Sequence, residues 1–202
     1  MYGLINRNVR DIMELISPDP NYESLLKTAI SERVKTDKEF QSKFRAYWGM
    51  NAALLGVEFY RTYFDALSES LTQSRGIEAV IPVLYEASVR KDGRKSLQFS
   101  FASKLVHTAQ TRQPIYDSHV AEFYFFEMPV DLTFEQRLQK LLAFYHFLVS
   151  EYARIIEAGL LSTAINEFRA KNPAECWTDE KIIDSLIWGA VKLLHLQRIQ
   201  YA

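Results

Sequence analysis

Residues 96–126, SLQFSFASKLVHTAQTRQPIYDSHVAEFYFF, decide how this chain folds. With Leu97 set at zero and about 100° per residue, Leu97, Phe101, Leu105, Ala109, Ala102, Val106 and Phe99 fall within one arc of about 200°, as an amphipathic helix requires. Ser100, Ser103, Lys104 and His107 fill the remaining arc. Lys104 lies at its border, so its stem rests on apolar surface whatever its amine does. Pro114 then forces an extended approach, and Ile115 and Tyr116 anchor the link. Asp117 stands where an N-cap belongs, ahead of Val120, Phe123 and Phe126. The stretch reads as a helix, a short link and a second helix opened by an aspartate.

The same punctuation extends toward the N-terminus. Residues 9–16 form a short amphipathic pattern, stopped by Ser17-Pro18-Asp19-Pro20. Asn21 caps a second helix running to about residue 34, and Asp37 caps a third that carries Phe40, Phe44, Tyr47 and Trp48. A stripe of Leu54, Leu55, Phe59, Tyr63, Leu67 and Leu71 continues past Gly49. One long helix and two joined near Met50 both fit, and Ser74-Arg75-Gly76 ends the pattern. Residues 77–88 are another helix, with Pro82 near its first turn or kinking it, before a turn at Asp92-Gly93.

Toward the C-terminus, Met128-Pro129 breaks the chain. Thr133 and Gln136 then make a capping box for a long helix, residues 134 to about 158, ended by Gly159. Its apolar stripe is Leu138, Leu141, Leu142, Tyr145, Leu148, Val149, Tyr152 and Ile156. Residues 160–170 are a further helix stopped by Asn172-Pro173. Thr178 caps the last, which carries Ile182, Ile183, Leu186, Ile187, Val191 and Leu194. There is no two-residue alternation and no internal repeat. The expected fold is all-α, eight to ten helices in one domain over residues 1–202, with lobes at 1–90 and 91–202 as the alternative division.

At 202 residues, 48% hydrophobic and 13% aromatic with seven glycines, the chain is neither disordered nor fibrous. The single Cys176 excludes a disulfide framework and fits a reducing compartment. It leaves a catalytic thiol formally open, with burial beside Trp177 the plainer reading. The opening MYGLINRNVRDIMELI is charged too early for a signal peptide, and no uncharged apolar run approaches about 18 residues. The expectation is a cytoplasmic protein with no membrane partner. His146 and His195 are too isolated for a metal set, and no Walker loop, zinc motif or serine elbow occurs, so neither metal nor cofactor is expected.

The net charge of −1 excludes an all-over polyanion binder but conceals an asymmetry. Over residues 88–113, Arg90, Lys91, Arg94, Lys95, Lys104 and Arg112 face the single acid Asp92, a net of +5. Residues 115–189 hold twelve acids and six bases. The basic run reads either as a phosphate-facing surface or as a solvated turn around Asp92-Gly93.

Phe101-Ala102-Ser103-Lys104-Leu105, then Ile115-Tyr116-Asp117-Ser118-His119-Val120, resembles the active-site segment of the helix-hairpin-helix DNA glycosylases. In that family a lysine at a helix start is followed by a link ending in Val-Asp-Thr-His-Val. The resemblance covers roughly 25 residues and implies a helix-hairpin-helix glycosylase-like fold of two helical lobes around a DNA cleft. It implies that Lys104 is an amine nucleophile forming a Schiff base at the sugar, and that Asp117 is the carboxylate assisting base loss from a flipped nucleotide. DNA would be the partner, contacted by Arg90, Lys91, Arg94, Lys95, Ser100, Ser103, His107, Arg112, Ser118 and His119. The family's glycine turn ahead of the lysine is absent, since Leu97-Gln98-Phe99-Ser100-Phe101 stands there.

Against the catalytic roles stand plainer ones: Asp117 as a helix cap alone, Lys104 as a surface lysine, His107 and His119 as structural side chains. The aromatic runs Tyr60-Tyr63-Phe64 and Phe123-Tyr124-Phe125-Phe126 read as core, with one ring available to stack on a flipped base. Three function classes follow: a glycosylase-type DNA-processing protein, a non-enzymatic nucleic-acid-binding relative, and a helical protein-interaction module that kept the fold without catalysis.

Overall fold

A computed structural model describes residues 1–16, 21–29, 32–89, 93–129 and 131–196. Among these the fold is all-α: eleven α-helices and two 3-10 turns, with one isolated antiparallel bridge between Val89 and Lys95. The helices are α1 (Tyr2–Arg7), α2 (Val9–Ile16), α3 (Asn21–Ala29), α4 (Lys38–Tyr47), α5 (Val57–Gln73) and α6 (Ile77–Ala87). They continue with α7 (Phe99–Ala109), α8 (Ser118–Phe123), α9 (Phe134–Glu157), α10 (Ser162–Lys171) and α11 (Asp179–His195). The chain makes two compact units, Met1–Pro18 with Pro114–Ala202, and Asp19–Gln113. These units divide the chain at 18/19 and 113/114 and group the N-terminal helices with the C-terminal ones.

Four of the capping residues read from the sequence act as caps, while Asn21 is the first residue of α3. Asp37 accepts the Phe40 N–H at 3.0 Å, Asp117 the Val120 N–H at 2.9 Å and Thr178 the Lys181 N–H at 3.3 Å. Thr133 and Gln136 close a reciprocal capping box. Several expectations need correction. The first helix, α1, lies ahead of the short pattern at residues 9–16. The second helix ends at Ala29, and Glu32–Lys35 forms a 3-10 turn. Gly49, left-handed at φ 66°, stops α4, so two helices and not one span residues 38–73, with a 3-10 turn Met50–Ala53 between them. Pro82 sits in the middle of α6. On α9, Phe144 and Ile155 are buried where Val149 is not. The break at residues 17–20 and the Asp92 half of the turn lie outside the described residues.

In the unit Asp19–Gln113, α5 packs on α6, α7 and the 3-10 turn Glu32–Lys35. Its core is aromatic: Phe40, Phe44, Trp48, Phe59, Tyr63 and Phe64 are buried, and the Phe44 ring lies 5.7–6.2 Å from those of Trp48, Tyr63 and Phe64. The Tyr63 hydroxyl donates to the Phe101 carbonyl at 3.1 Å and so fixes α7 on α5.

In the other unit α11 is the central element, against α1, α2, α8, α9 and α10. Gly189 is what lets α2 come so close. A Cβ there would meet Ile16 Cγ2 at 2.6 Å and Ile12 Cγ2 at 2.8 Å. A buried ion pair, Lys181 Nζ to Asp184 Oδ2 at 3.1 Å, lies on α11 one turn from its start.

Candidate functional site

Lys104, on α7, is half-buried. Its amine donates to the Trp48 carbonyl at 3.1 Å and lies 5.9 Å from the Trp48 ring centroid and 5.5 Å from that of Phe101. Trp48 is the C-cap of α4, so the lysine cation stands at the negative end of that helix, on two aromatic faces. The stem on apolar surface is as expected. The amine is thus engaged by the protein's own groups.

Part of the polar arc of α7 does not face water. Ser103 is fully buried and His107 is 1% exposed, because the protein itself satisfies them. Ser103 donates to the Ser100 carbonyl at 2.9 Å. His107 Nδ1 lies 2.7 Å from the Gln113 carbonyl, which can only accept, so Nδ1 carries a proton; Nε2 lies 2.8 Å from the Tyr22 hydroxyl. Ser103 and His107 are therefore enclosed by the protein's own groups.

Of the remaining basic run, Lys95 is ion-paired with Glu86 and lies 5.5 Å from the Tyr85 ring centroid. Arg94 and Arg112 are exposed, and Ser100 is half-buried. Arg90 and Lys91 lie outside the described residues. Lys104 belongs to the unit Asp19–Gln113 and Asp117 to the other.

Asp117 spends one oxygen on the α8 cap, Ser118 next to it is exposed, and His119 is half-buried. The His119 ring lies 5.3 Å from Trp188 and 5.9 Å from His195. His195 Nε2 is 2.6 Å from Glu122 Oε1, and the Lys192 amine lies 4.3 Å from the Trp188 centroid. The sequence reading singles out neither Trp188 nor Lys192, and takes His195 only as too isolated for a metal set. Their spacing of four and then three residues puts them on one face of α11, a signal the sequence does carry. Among the described residues no set of His, Cys, Asp or Glu side chains is placed to hold a metal ion. No helix among them is long and apolar enough to cross a membrane. Cys176 is half-buried.

The aromatic run at the end of α8 supplies the least ordinary feature. Phe123 is buried, and Phe126 stacks on Phe144 at 4.1 Å and 15°. Phe125, between them, is 82% exposed and has φ 54°, a left-handed backbone. The Phe126 N–H bonds the Ala121 carbonyl at 2.8 Å and the Phe125 N–H that of Glu122 at 3.0 Å. This is a Schellman turn, with phenylalanine in the position that glycine usually takes. The turn is held firmly. Tyr124, the C-cap of α8, meets the Tyr2 hydroxyl at 3.1 Å, and Tyr2 donates to Glu151, which Arg154 also holds. Burial, then the Glu151 hydrogen bond, push the Tyr2 phenol up to about 12, and burial keeps Tyr124 protonated still further.

Beside Phe125 an apolar groove of about 240 Å³ opens between helices. Leu4 and Ile5 of α1, Phe123 of α8 and Ala190, Val191 and Leu194 of α11 line it, together with Met1, the Glu122 side chain and Phe125 itself. Met1, Leu194 and Leu196 add exposed apolar surface to the same unit. In the other unit a crevice between α3 and α4 is polar, with Asp37 engaged as a cap and Glu39 in an ion pair with Lys43 at 2.7 Å.

Comparison with protein-family models, with curated proteins and with solved structures finds no match in any of the three.

Proposed function

We propose that the protein is a non-enzymatic helical interaction module that docks a partner protein on the groove of α1, α8 and α11. The observation that carries this is Phe125. A bulky apolar side chain is left in water, on a backbone conformation that disfavours it, at the rim of a largely apolar groove that Glu122 also lines. Each feature alone works against folding: an L-residue in the left-handed region costs roughly 1–2 kcal/mol, and exposed aromatic surface promotes association. Together they have the make-up of a binding anchor, held by a rigid turn and surrounded by a site that a side chain can enter. Leu54 in the other unit shares the exposure, at 84%, and the left-handed backbone. Phe125 differs from it in standing beside a groove.

The nucleic-acid reading has less behind it. Lys95 is already paired, Ser103 and His107 are enclosed, and the α8–α11 face of His119, Trp188, Lys192 and His195 also holds the Glu122 carboxylate. A face of one permanent cation and one acid does not release the counterions that drive backbone binding.

The test is selection of amphipathic helical peptides against the intact protein, followed by titration of the selected peptides into wild type and the Phe125→Ser variant. Docking predicts peptides that wild type binds and the variant loses by about tenfold or more. Equal binding to both removes the groove from the function. Borohydride treatment on abasic DNA is expected to trap no adduct; an adduct would show a Schiff-base enzyme instead.

A further inference from the structure

We propose that the loop between α4 and α5 is a membrane-surface anchor, which seats Leu54 and Val57 in the interfacial layer of a lipid bilayer while Arg45 meets lipid phosphate. The inference concerns the unit Asp19–Gln113 and stands independently of the groove on α1, α8 and α11.

The loop's sequence sets it apart. Residues 46–57, AYWGMNAALLGV, carry no charge, in a chain of which 24% is charged. A run that lacks charge for so long belongs inside a domain, and Trp48, Met50 and Leu55 do turn inward. Leu54 and Val57 do not: at 84% and 87% they are the two most exposed large apolar side chains among the described residues. The fold does not ask for either. Leu54 has a left-handed backbone, φ 50°, which glycine or asparagine adopts more readily. Val57 is the first residue of α5, where an acidic side chain would suit the helix better. The base of the loop is closed from within, since Lys104 donates to the Trp48 carbonyl at 3.1 Å and the Tyr60 hydroxyl to the Met50 carbonyl at 3.0 Å. Two acceptors that would resist leaving water are thus already satisfied, and the tip stands on a fixed base.

The surroundings of the tip choose the occupant. Side chains this exposed project from the surface instead of lining a groove, and a bilayer yields around a projecting tip where a protein must supply a pocket shaped for it. Tyr47 and Tyr60, both half-buried at the base of the loop, are of the amphipathic type that sits at the headgroup level. The Arg45 guanidinium lies 4.7 Å from the Tyr60 ring centroid. Its Nε is buried without a hydrogen-bond partner, and no ion pair holds it among the described residues. An unneutralised guanidinium next to an apolar tip is the complement of a lipid phosphate. Glu58, the first acid after the uncharged run, is neutralised by Arg61. No helix among the described residues crosses a membrane, and none is needed, because an interfacial segment enters only about 5–10 Å.

The experiment is co-sedimentation of the full chain with vesicles of phosphatidylcholine, alone and with about 30% phosphatidylserine, at about 0.1 M salt. Four proteins are run: wild type, the double variant Leu54→Asn with Val57→Ser, Arg45→Gln, and Val83→Ser, which removes an exposed apolar side chain of α6 outside the loop. Asparagine tolerates the left-handed backbone at residue 54, and both loop side chains are exposed, so the double variant should keep the helical circular dichroism of wild type. Wild type is expected to bind both kinds of vesicle, the anionic ones more strongly. The double variant is expected to lose about tenfold or more on both, as withdrawal of large apolar side chains does. Arg45→Gln is expected to lose about fivefold on the anionic vesicles, the effect of one cation near such a surface. Val83→Ser is expected to bind as wild type does. Wild type that binds neither kind of vesicle overturns the proposal. So does a double variant that binds as wild type does, because electrostatic adsorption alone would not use the tip. An equal loss in Val83→Ser removes the loop's special role, and unchanged binding by Arg45→Gln removes the arginine's. Wild type that ignores vesicles but self-associates in a Leu54-dependent way would assign the tip to a protein surface instead. Each of these failures leaves peptide docking at the groove untouched.

Discussion

Replacing Phe125 by glycine separates what the residue does for folding from what it does for binding. At φ 54° a side chain with a Cβ carries a penalty of roughly 1–2 kcal/mol that glycine escapes. Against that, glycine releases more chain entropy on unfolding, about 0.5–1 kcal/mol. The ring is 82% exposed, so about a fifth of it contributes burial. A fully buried phenylalanine is worth about 1.5–3 kcal/mol, which makes the lost share about 0.3–0.5 kcal/mol. The terms leave Phe125→Gly between about 0.5 kcal/mol less stable and about 1 kcal/mol more stable than wild type. Phe125→Ala keeps the penalty and loses the contact, so it should fall below Phe125→Gly by about 1 kcal/mol. The same change at Phe123, buried in the same helix, should cost about 3–5 kcal/mol. Urea unfolding at low protein concentration, where self-association is negligible, measures all three. A Phe125→Gly protein destabilised by more than about 1 kcal/mol would mean that the ring supports the fold, and the anchor would have to be given up. Retained peptide binding in that variant would sink it equally.

Lys104→Met should destabilise the protein by about 1–3 kcal/mol, since it removes a charged donor from the Trp48 carbonyl and a cation from two aromatic faces. A catalytic amine held for chemistry at the expense of the fold predicts the opposite sign, so unfolding of this one variant tells the two roles apart. Gly189→Ala should cost about 1–2 kcal/mol even after alanine's better helix propensity, because Ile12 and Ile16 leave no room for the Cβ; unchanged stability would show that α2 is not held that close. The Tyr152 hydroxyl is buried with no hydrogen-bond partner among the described residues, so Tyr152→Phe should be neutral or stabilising by up to about 1 kcal/mol, and a marked loss would reveal a bound water. Tyr2, held in the folded state at about 12 against 10.0, contributes stability that is complete below pH 10 and disappears as pH rises toward 12. Tyr2→Phe should flatten that alkaline slope, and an unaltered pH profile would refute the assigned phenol.

The sequence specified the helical architecture because its signals are local. Asp37, Asp117, Thr133 and Thr178 each act on the N–H three residues on, and nothing distant can override that contact. What it misplaced is long-range. The polar arc of α7 reads as solvent-facing until Tyr22, 85 positions away, arrives to occupy His107. Lys104 reads as a nucleophile or an edge lysine until the carbonyl of Trp48, 56 positions back, takes its amine. The division of the chain escaped for the same reason. Residues 1–18 join the C-terminal unit through α2 on α11, a contact licensed by one glycine that no local pattern singles out.

Phe125 lies between those cases, and the physical reason shows why binding is the better account of it. Phe123-Tyr124-Phe125-Phe126 are four consecutive aromatics, and at about 100° per residue four positions sweep about 300° of a helix. A helix on a domain surface buries one stripe, so the run cannot be wholly core. The sequence thus guarantees one outward ring without saying which. The turn chooses: once α8 ends at Tyr124, Phe126 reaches back to Ala121 and stacks on Phe144, and the residue between must take left-handed φ and face out. Glycine or asparagine would satisfy that position at lower cost, and nothing in the fold calls for a ring there. A side chain that folding alone disfavours, in a place where folding offers a cheaper choice, is accounted for by what it meets outside its own fold.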